Sequence, residues 1–321
     1  MHHERRISAI LSDYDGTLCP TSSINKQGDN LNIIPPNLED ILCSISKNIP
    51  VCIISSKDFY FIYKKIKKFS EITSCILGME TIFLNNITKR NNETELTDNK
   101  KAEDESGLTI ANSDLDIISR HVLMDYKIIL NNSAILNEIV NYIKINHQRI
   151  NVEKKFLTME EGLLGGITID WRNDIDWSIN KDKYEKILQK SLSNIYKKAE
   201  HLKMSRSNLD FYLQKLFIQQ YSTHPFIDVY SAKISKGEAY DCVTSELFNT
   251  THNKGNIMYL GDSENDNPAF KKSDISIGIN SDTRLKPNLK CKYNLKFENL
   301  SIFLKNLKNN NFDFSESLLY F

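Results

Sequence analysis

The stretch Leu11-Ser12-Asp13-Tyr14-Asp15-Gly16-Thr17-Leu18 decides how the chain is read. It closes the short apolar run of residues 7–12, which has the make-up of a buried strand. Two carboxylates at i and i+2 therefore leave a strand end together. In an open α/β sheet, ligands bind outside the carboxyl ends of the strands, so both acids are delivered to the functional edge. Gly16 permits a sharp turn, and Thr17 can cap the next one. An Asp-Gly turn with two solvated acids is the plain alternative, and only the rest of the chain separates the two.

Moving outward, strand and helix signals alternate. Pro35-Pro36 precede Leu38, Ile41, Leu42 and Ile45 at helical spacing. The β-branched run Val51–Ile54 follows, then Phe59, Ile62, Tyr63 and Ile66 on a second helical face, and a third strand over 72–77. The same grammar returns near the C-terminus, with Tyr240, Val243 and Leu247 on a helix, strands at 257–260 and 275–279, and a last helix through Leu300, Phe303, Leu304 and Leu307. This predicts a parallel sheet covered on both faces. The middle breaks the pattern. Residues 88–107 are polar and nearly free of apolar side chains, which predicts a solvated loop. Beyond them come a helix through Ile135 and Ile143, strands at 152–157 and 163–171, an amphipathic helix from Tyr184 to Ala199, and strands near 209–213 and 227–229. The expected plan is one α/β domain interrupted by an α+β insert.

A second acidic strand end is Ile257-Met258-Tyr259-Leu260-Gly261-Asp262-Ser263-Glu264-Asn265-Asp266. Acids gathered at two strand ends repel one another unless a cation lies between them. A few hard oxygen ligands favour Mg²⁺, which keeps several waters. An EF-hand loop counted from Asp262 would need glycine and glutamate where the chain has Asn267 and Ser273, so that reading fails. Ser55 ends the second strand, where its hydroxyl and the adjacent N–H suit a phosphate oxygen. Lys236-Gly237 opens a helix, and a cation there opposes the macrodipole unless an anion lies between.

The order D-x-D-G-T-L, then Ser55, then Lys236-Gly237, then G-D-x-x-N-D resembles the haloacid dehalogenase superfamily of phosphatases. The resemblance covers roughly residues 7–80 and 232–308. It implies a Rossmann-like parallel-sheet core, with Asp13 as nucleophile and Asp15 as general acid and base. Ser55 and Lys236 would hold the phosphoryl group. Mg²⁺ would be bound by Asp13, Asp15 and Asp262 with Asp266 in support, and Asn265 would orient Lys236 or a metal-bound water. Ser55 and Lys236 stand far apart in sequence, whereas Asp15 and Ser55 stand close, so the insert falls between the second and third motifs. The implied division is a catalytic core of 1–83 and 232–321 and an α+β cap of the C2 type at 84–231.

The cap reads the leaving group. Val152-Glu153-Lys154-Lys155 and Ile169-Asp170-Trp171-Arg172 resemble the E-x-K and H-Y-R elements of trehalose-6-phosphate phosphatases, in subfamily IIB. That resemblance implies that Glu153, Lys155 and Arg172 contact sugar hydroxyls and the phosphate. Two departures stand out: Asp170 replaces His, and Ser56-Lys57 replaces Gly-Arg. The expectation is a Mg²⁺-dependent sugar-phosphate phosphatase, with trehalose 6-phosphate leading. Mannosyl-3-phosphoglycerate, sucrose 6-phosphate and phosphoglycolate are the alternatives among substrates, and a non-catalytic sugar-phosphate sensor is the alternative outside enzymes.

Composition narrows the partners. Among 321 residues, 41 Lys and Arg balance 41 Asp and Glu, which leaves no electrostatic footprint for nucleic acid or an anionic membrane. No apolar run approaches the roughly 18 residues of a bilayer span, and the N-terminal apolar stretch turns acidic too soon for a signal peptide. Six cysteines without a C-x-x-C pair suit reduced thiols in a cytoplasmic protein. The expected partner is a small-molecule sugar phosphate, and no pattern speaks to oligomeric state.

Overall fold

Strand β1 (Arg5–Ser12) runs through the middle of a nine-stranded sheet, and its last four residues are all buried. The computed structural model describes residues 5–20, 33–84, 117–171, 181–201, 216–221, 226–251, 255–280 and 287–320. On one side β1 pairs in parallel with β2 (Val51–Ile54), followed by β3 (Ser70–Cys75). On the other it pairs in parallel with β10 (Asn256–Gly261), followed by β11 (Ile275–Asn280) and β12 (Tyr293–Lys296). Strands β4 (Glu80–Leu84) and β5 (Ile117–Val122) extend the β3 edge in antiparallel fashion, and the short β13 (Asp313–Phe314) pairs with the start of β1.

Alternation along the strands makes two cores. Ile10, Ile53, Met258 and Leu260 face one side, where α1 (Pro36–Ser46), α2 (Phe59–Ile66) and α7 (Leu300–Asn309) cover them. Leu11, Cys52, Ile54 and Tyr259 face the other, under α5 (Lys236–Thr251) and the short α6 (Asn267–Phe270). Strands buried on both faces read as continuous apolar runs, as they do here. Local chemistry sets the helix starts. Pro36 brings a φ suited to a first turn, and the Asp58 carboxylate caps α2 by accepting from the Phe61 N–H at 2.9 Å.

A second, four-stranded antiparallel sheet has the order β6-β7-β9-β8, from β6 (Asn151–Phe156), β7 (Leu164–Asp170), β8 (Phe217–Gln220) and β9 (Phe226–Tyr230). Helices α3 (Tyr126–Asn146) and α4 (Lys181–His201) bury its apolar face, with Leu136, Ile139 and Leu188 against Ile167, Ile169 and Val229. Trp171 stacks on Tyr184 at 4.4 Å between ring centres, so this indole belongs to the core.

The α/β expectation holds, with two local differences. The strand expected over 72–77 stops at Cys75. Ile76 and Leu77 then turn in a 3₁₀ segment at φ 52° and 59°, both buried. An apolar run that continues through a buried turn gives periodicity nothing to mark. Strand β5 lies in the stretch assigned to the insert, yet it is hydrogen-bonded to β4 at the edge of the large sheet. It is mostly exposed, so it carries no alternating apolar signal. The polar stretch 88–107, the strand expected at 209–213 and Arg172 lie outside the described residues. Among the described residues, no helix is long and apolar enough to cross a membrane.

Candidate active site

Asp13 stands one residue beyond β1, and its N–H donates to the Leu260 carbonyl at 2.9 Å, tying the ends of β1 and β10 together. Gly16 turns at φ +80°, and a Cβ there would lie 2.0 Å from Asp262 Oδ2. Only glycine lets the two acidic loops close on each other. Thr17 Oγ1 donates to Asp262 Oδ1 at 3.2 Å. Asp13, Asp262 and Asp266 each bring a carboxylate oxygen within 4.8 Å of the others.

Lys236, fully buried at the start of α5, completes the cluster. Its Nζ lies 2.9 Å from Asp13 Oδ1 and 2.7 Å from Asp266 Oδ1. Gly237 makes this approach feasible, since a Cβ there would meet Pro268 at 2.9 Å. The lysine at a helix start thus has two anions beside it, which offset the unfavourable macrodipole. Burial alone would depress the Lys236 pKa, but Asp13 and Asp266 outweigh it and hold the amine charged. Asp266 has both oxygens engaged. Oδ1 also accepts from the Tyr259 hydroxyl at 2.7 Å, while Oδ2 accepts from the N–H groups of Asp262 at 3.1 Å and Ser263 at 3.0 Å. It braces both Lys236 and the loop.

Asp15 turns away from this cluster, its Oδ2 lying 3.8 Å from Lys57 Nζ. The same amine is 2.9 Å from both oxygens of Glu153, which brings that residue of the smaller sheet to the site edge. Ser55 is buried at the end of β2, where its Oγ accepts from the Lys57 N–H at 3.1 Å. The left-handed turn after β3 braces this loop: the Ile76 N–H donates to the Lys57 carbonyl and the Leu77 N–H to the Ser55 carbonyl, both at 3.0 Å. Two non-glycine residues at positive φ are strain that this scaffold holds in place.

Lys155 does not join Glu153 at the edge. It is 1 % exposed, with Nζ 2.9 Å from Asp228 Oδ1 and 3.3 Å from the Tyr230 hydroxyl. Asp228 also accepts from Tyr221, Tyr230 and Thr168, and Lys155 and these hydroxyls keep its pKa low despite burial. Asn265 reaches this network through Tyr221 at 3.4 Å, and its Oδ1 accepts from Ser263 Oγ at 2.7 Å. The structure thus brings Asp13, Asp262, Asp266 and Lys236 together, sets Asp15, Lys57 and Glu153 beside them, and occupies Lys155 elsewhere. Sequence reasoning missed Asp228, whose one signal was a carboxylate inside the apolar run of β9. Asp228→Ala leaves a buried ammonium unpaired and is expected to cost about 3–5 kcal/mol in urea unfolding; Asp228→Asn, which keeps the acceptor, is expected to cost less.

The family model for haloacid dehalogenase-like hydrolases matches residues 10–294. The chain belongs to that family. No curated protein matches it. Among solved structures, the C-terminal domain of Candida albicans trehalose-6-phosphate phosphatase aligns over 96 % of this hydrolase and 94 % of that chain, with TM-score 0.60 and 15 % identity. A haloacid dehalogenase-like hydrolase from Bacteroides thetaiotaomicron aligns over 94 % and 100 %, with TM-score 0.53 and 11 % identity. A trehalose-6-phosphate phosphatase related protein aligns over 94 % and 98 %, with TM-score 0.51 and 12 % identity. At these identities the likeness is one of fold.

The acids of this hydrolase fit a divalent cation. Burial pushes the Asp13 carboxyl up to about 7, with Lys236 opposing and Asp266 adding to the rise. Burial, then Asp13 and Asp266, lift Asp262 well above the carboxylate range. Two buried carboxylates, Asp13 and Asp266, share a single lysine with half-buried Asp262 beside them, and a hard oxygen donor set with an excess of negative charge suits Mg²⁺. Gly16→Ala tests this closeness. The new methyl would displace the Asp262 carboxylate, and Mg²⁺ affinity measured by calorimetry is expected to fall at least about tenfold, on the scale seen when groups supporting a metal site are lost.

Proposed function

We propose that the protein is a Mg²⁺-dependent phosphatase that hydrolyses a sugar phosphate, trehalose 6-phosphate first among candidates, through an aspartyl-phosphate. One observation carries the reading: buried Lys236 joins Asp13 to Asp266 at the ends of adjacent strands, with Asp262 alongside. Asp13 and Asp262 would hold the ion, which supplies charge neutralisation of the phosphoryl oxygens. Lys236 and the Ser55 loop, both buried, would fix those oxygens. An Asp13 oxygen then bonds to phosphorus as the ester P–O bond breaks, and Asp15 gives its proton to the departing sugar oxygen. In the second step water attacks phosphorus, Asp15 takes back a proton, and the acyl-phosphate bond breaks to release inorganic phosphate.

The smaller sheet with α3 and α4 is read as the cap. Because β5 pairs within the large sheet, the proposed cap runs from Tyr126 to Tyr230 rather than from residue 84. A trehalose-6-phosphate phosphatase domain that aligns over almost the whole chain supports a sugar leaving group. A small-molecule partner and a cytoplasmic setting belong to the same reading.

Phosphate release from a panel at fixed Mg²⁺ tests it, comparing trehalose 6-phosphate, sucrose 6-phosphate, mannosyl-3-phosphoglycerate and phosphoglycolate. The expected result is the highest kcat/KM for trehalose 6-phosphate, with activity lost in EDTA. A preference for the two-carbon ester would overturn the sugar assignment. Binding of trehalose 6-phosphate without turnover would replace the enzyme with a sensor.

A further inference from the structure

Lys57 is the residue at this site that the proposed mechanism does not use. Its ammonium sits between two carboxylates from different parts of the fold. Glu153 on β6 holds it through both oxygens at 2.9 Å, and Asp15 on the β1 loop lies at 3.8 Å. All three side chains are largely shielded, at 18 % exposure for Lys57, 22 % for Asp15 and 35 % for Glu153. Burial would discharge Lys57, but Asp15 and Glu153 outweigh it and keep the amine protonated. The Phe61 ring lies 4.9 Å from the ammonium and limits where it can move. The backbone of Lys57 is equally fixed, through its N–H to Ser55 and its carbonyl to Ile76.

The same seam has hydrogen bonds from uncharged donors to Asp58 and Glu80 that anchor the segment but touch no reacting group. The Phe156 N–H donates to Asp58 Oδ2 at 2.9 Å, and Thr158 Oγ1 donates to Glu80 Oε1 at 2.7 Å. Lys57 and Glu153 therefore form the one charged link, among the described residues, between the smaller sheet and the side chain expected to move the proton.

We propose that Lys57 is a positioning residue and Glu153 its latch: the pair aims the Asp15 carboxylate at the leaving oxygen only while the cap is closed on the core. This deepens, and rests on, the phosphatase reading. With the cap displaced, Lys57 loses its bidentate partner and Asp15 keeps only Cys19, whose Sγ lies 3.7 Å from its Oδ1, as a fixed neighbour, so ester cleavage waits for closure. The proposal assigns Glu153 to the protein's own closure, a role separate from touching sugar.

The test uses Lys57→Met, Glu153→Gln and the double variant in the full chain at saturating Mg²⁺. Two substrates are compared: trehalose 6-phosphate, whose alkoxide must be protonated as it leaves, and p-nitrophenyl phosphate, whose leaving group needs far less help. Each single variant is expected to lower kcat for trehalose 6-phosphate by about 10–100-fold, the usual range for general acid–base assistance, with KM changing less than threefold. The ratio of the two kcat values is expected to fall at least tenfold, and the double variant to be no slower than Lys57→Met. Multiplying effects, a rise in KM alone, or equal losses on both substrates would overturn the proposal. Lys57→Arg, which can keep the bidentate bond, is expected to recover most of the ratio.

If the unaltered protein hydrolyses neither ester, the phosphatase reading fails by itself. The latch is then read by amide exchange at Phe156, which both single variants are expected to accelerate at least tenfold. Unchanged protection there would overturn the latch on its own.

Discussion

Asp13→Asn is expected to reduce phosphate release by about 10⁴–10⁶-fold, the scale at which enzymes lose a covalent nucleophile. The substitution is nearly isosteric, and the amide oxygen can still accept from Lys236, whose Nζ lies 2.9 Å from Asp13 Oδ1. What disappears is the anionic oxygen that would bond to phosphorus. The fold should gain rather than lose from the change. Asp13 is buried with its carboxyl pushed up to about 7, so its ionisation in the metal-free protein is unfavourable. The metal-free variant is therefore expected to melt at an equal or higher temperature than the unaltered protein near pH 8. Rapid acid quench after mixing with substrate labelled in the phosphoryl group should trap label on the unaltered chain and none on the variant. Residual turnover above one per cent, with a normal melting curve, would move the nucleophile to another residue.

The sequence exposed the parts of this site that lie along strands. Asp13 and Asp262 end runs whose burial on both faces is written as unbroken apolar sequence, so their place at the sheet edge followed from strand grammar. Lys236 was legible because a cation at a helix start demands an anion. What stayed hidden is pairing across long sequence distances. Tyr259 reads as one more core residue of β10, yet its hydroxyl supports Asp266. Glu153 and Lys155 share one face of β6, which suggests a common ligand, but the fold sends the first to Lys57 and buries the second against Asp228. Two-residue spacing fixes a face and not a partner. Gly78, at φ +108°, marks a turn but not the two left-handed residues before it, so the brace beneath Ser55 could be found only in three dimensions.

Lys236→Met is expected to damage both stability and rate, and its pH dependence separates the two. The amine neutralises Asp13 and Asp266 where neither meets solvent, at 2.9 and 2.7 Å. Removing one member of a buried ionic set leaves uncompensated charge and costs about 3–5 kcal/mol, while loss of a phosphoryl-stabilising cation should lower kcat by about 10²–10³-fold or more. Lys236 has its pKa raised in the fold, so in the unaltered protein its contribution is complete below the ordinary lysine range and constant from pH 5 to 8. In the variant, the main influence lowering the Asp13 pKa is gone, and the carboxyl rises beyond about 7. The unaltered fold already binds this proton more tightly than the unfolded chain does, so both proteins lose stability up to about pH 7 and only the variant goes on losing it above that. Stability is accordingly lost as pH climbs from the ordinary carboxylate range through the folded pKa. Urea unfolding in EDTA should give a deficit for the variant that is steady between pH 5 and 7, from Asp266 left without its cation, and that widens between pH 7 and 8. A deficit that stays flat across that range would mean that Lys236 supports the fold by packing rather than by charge, and the electrostatic account of the site would fall with it.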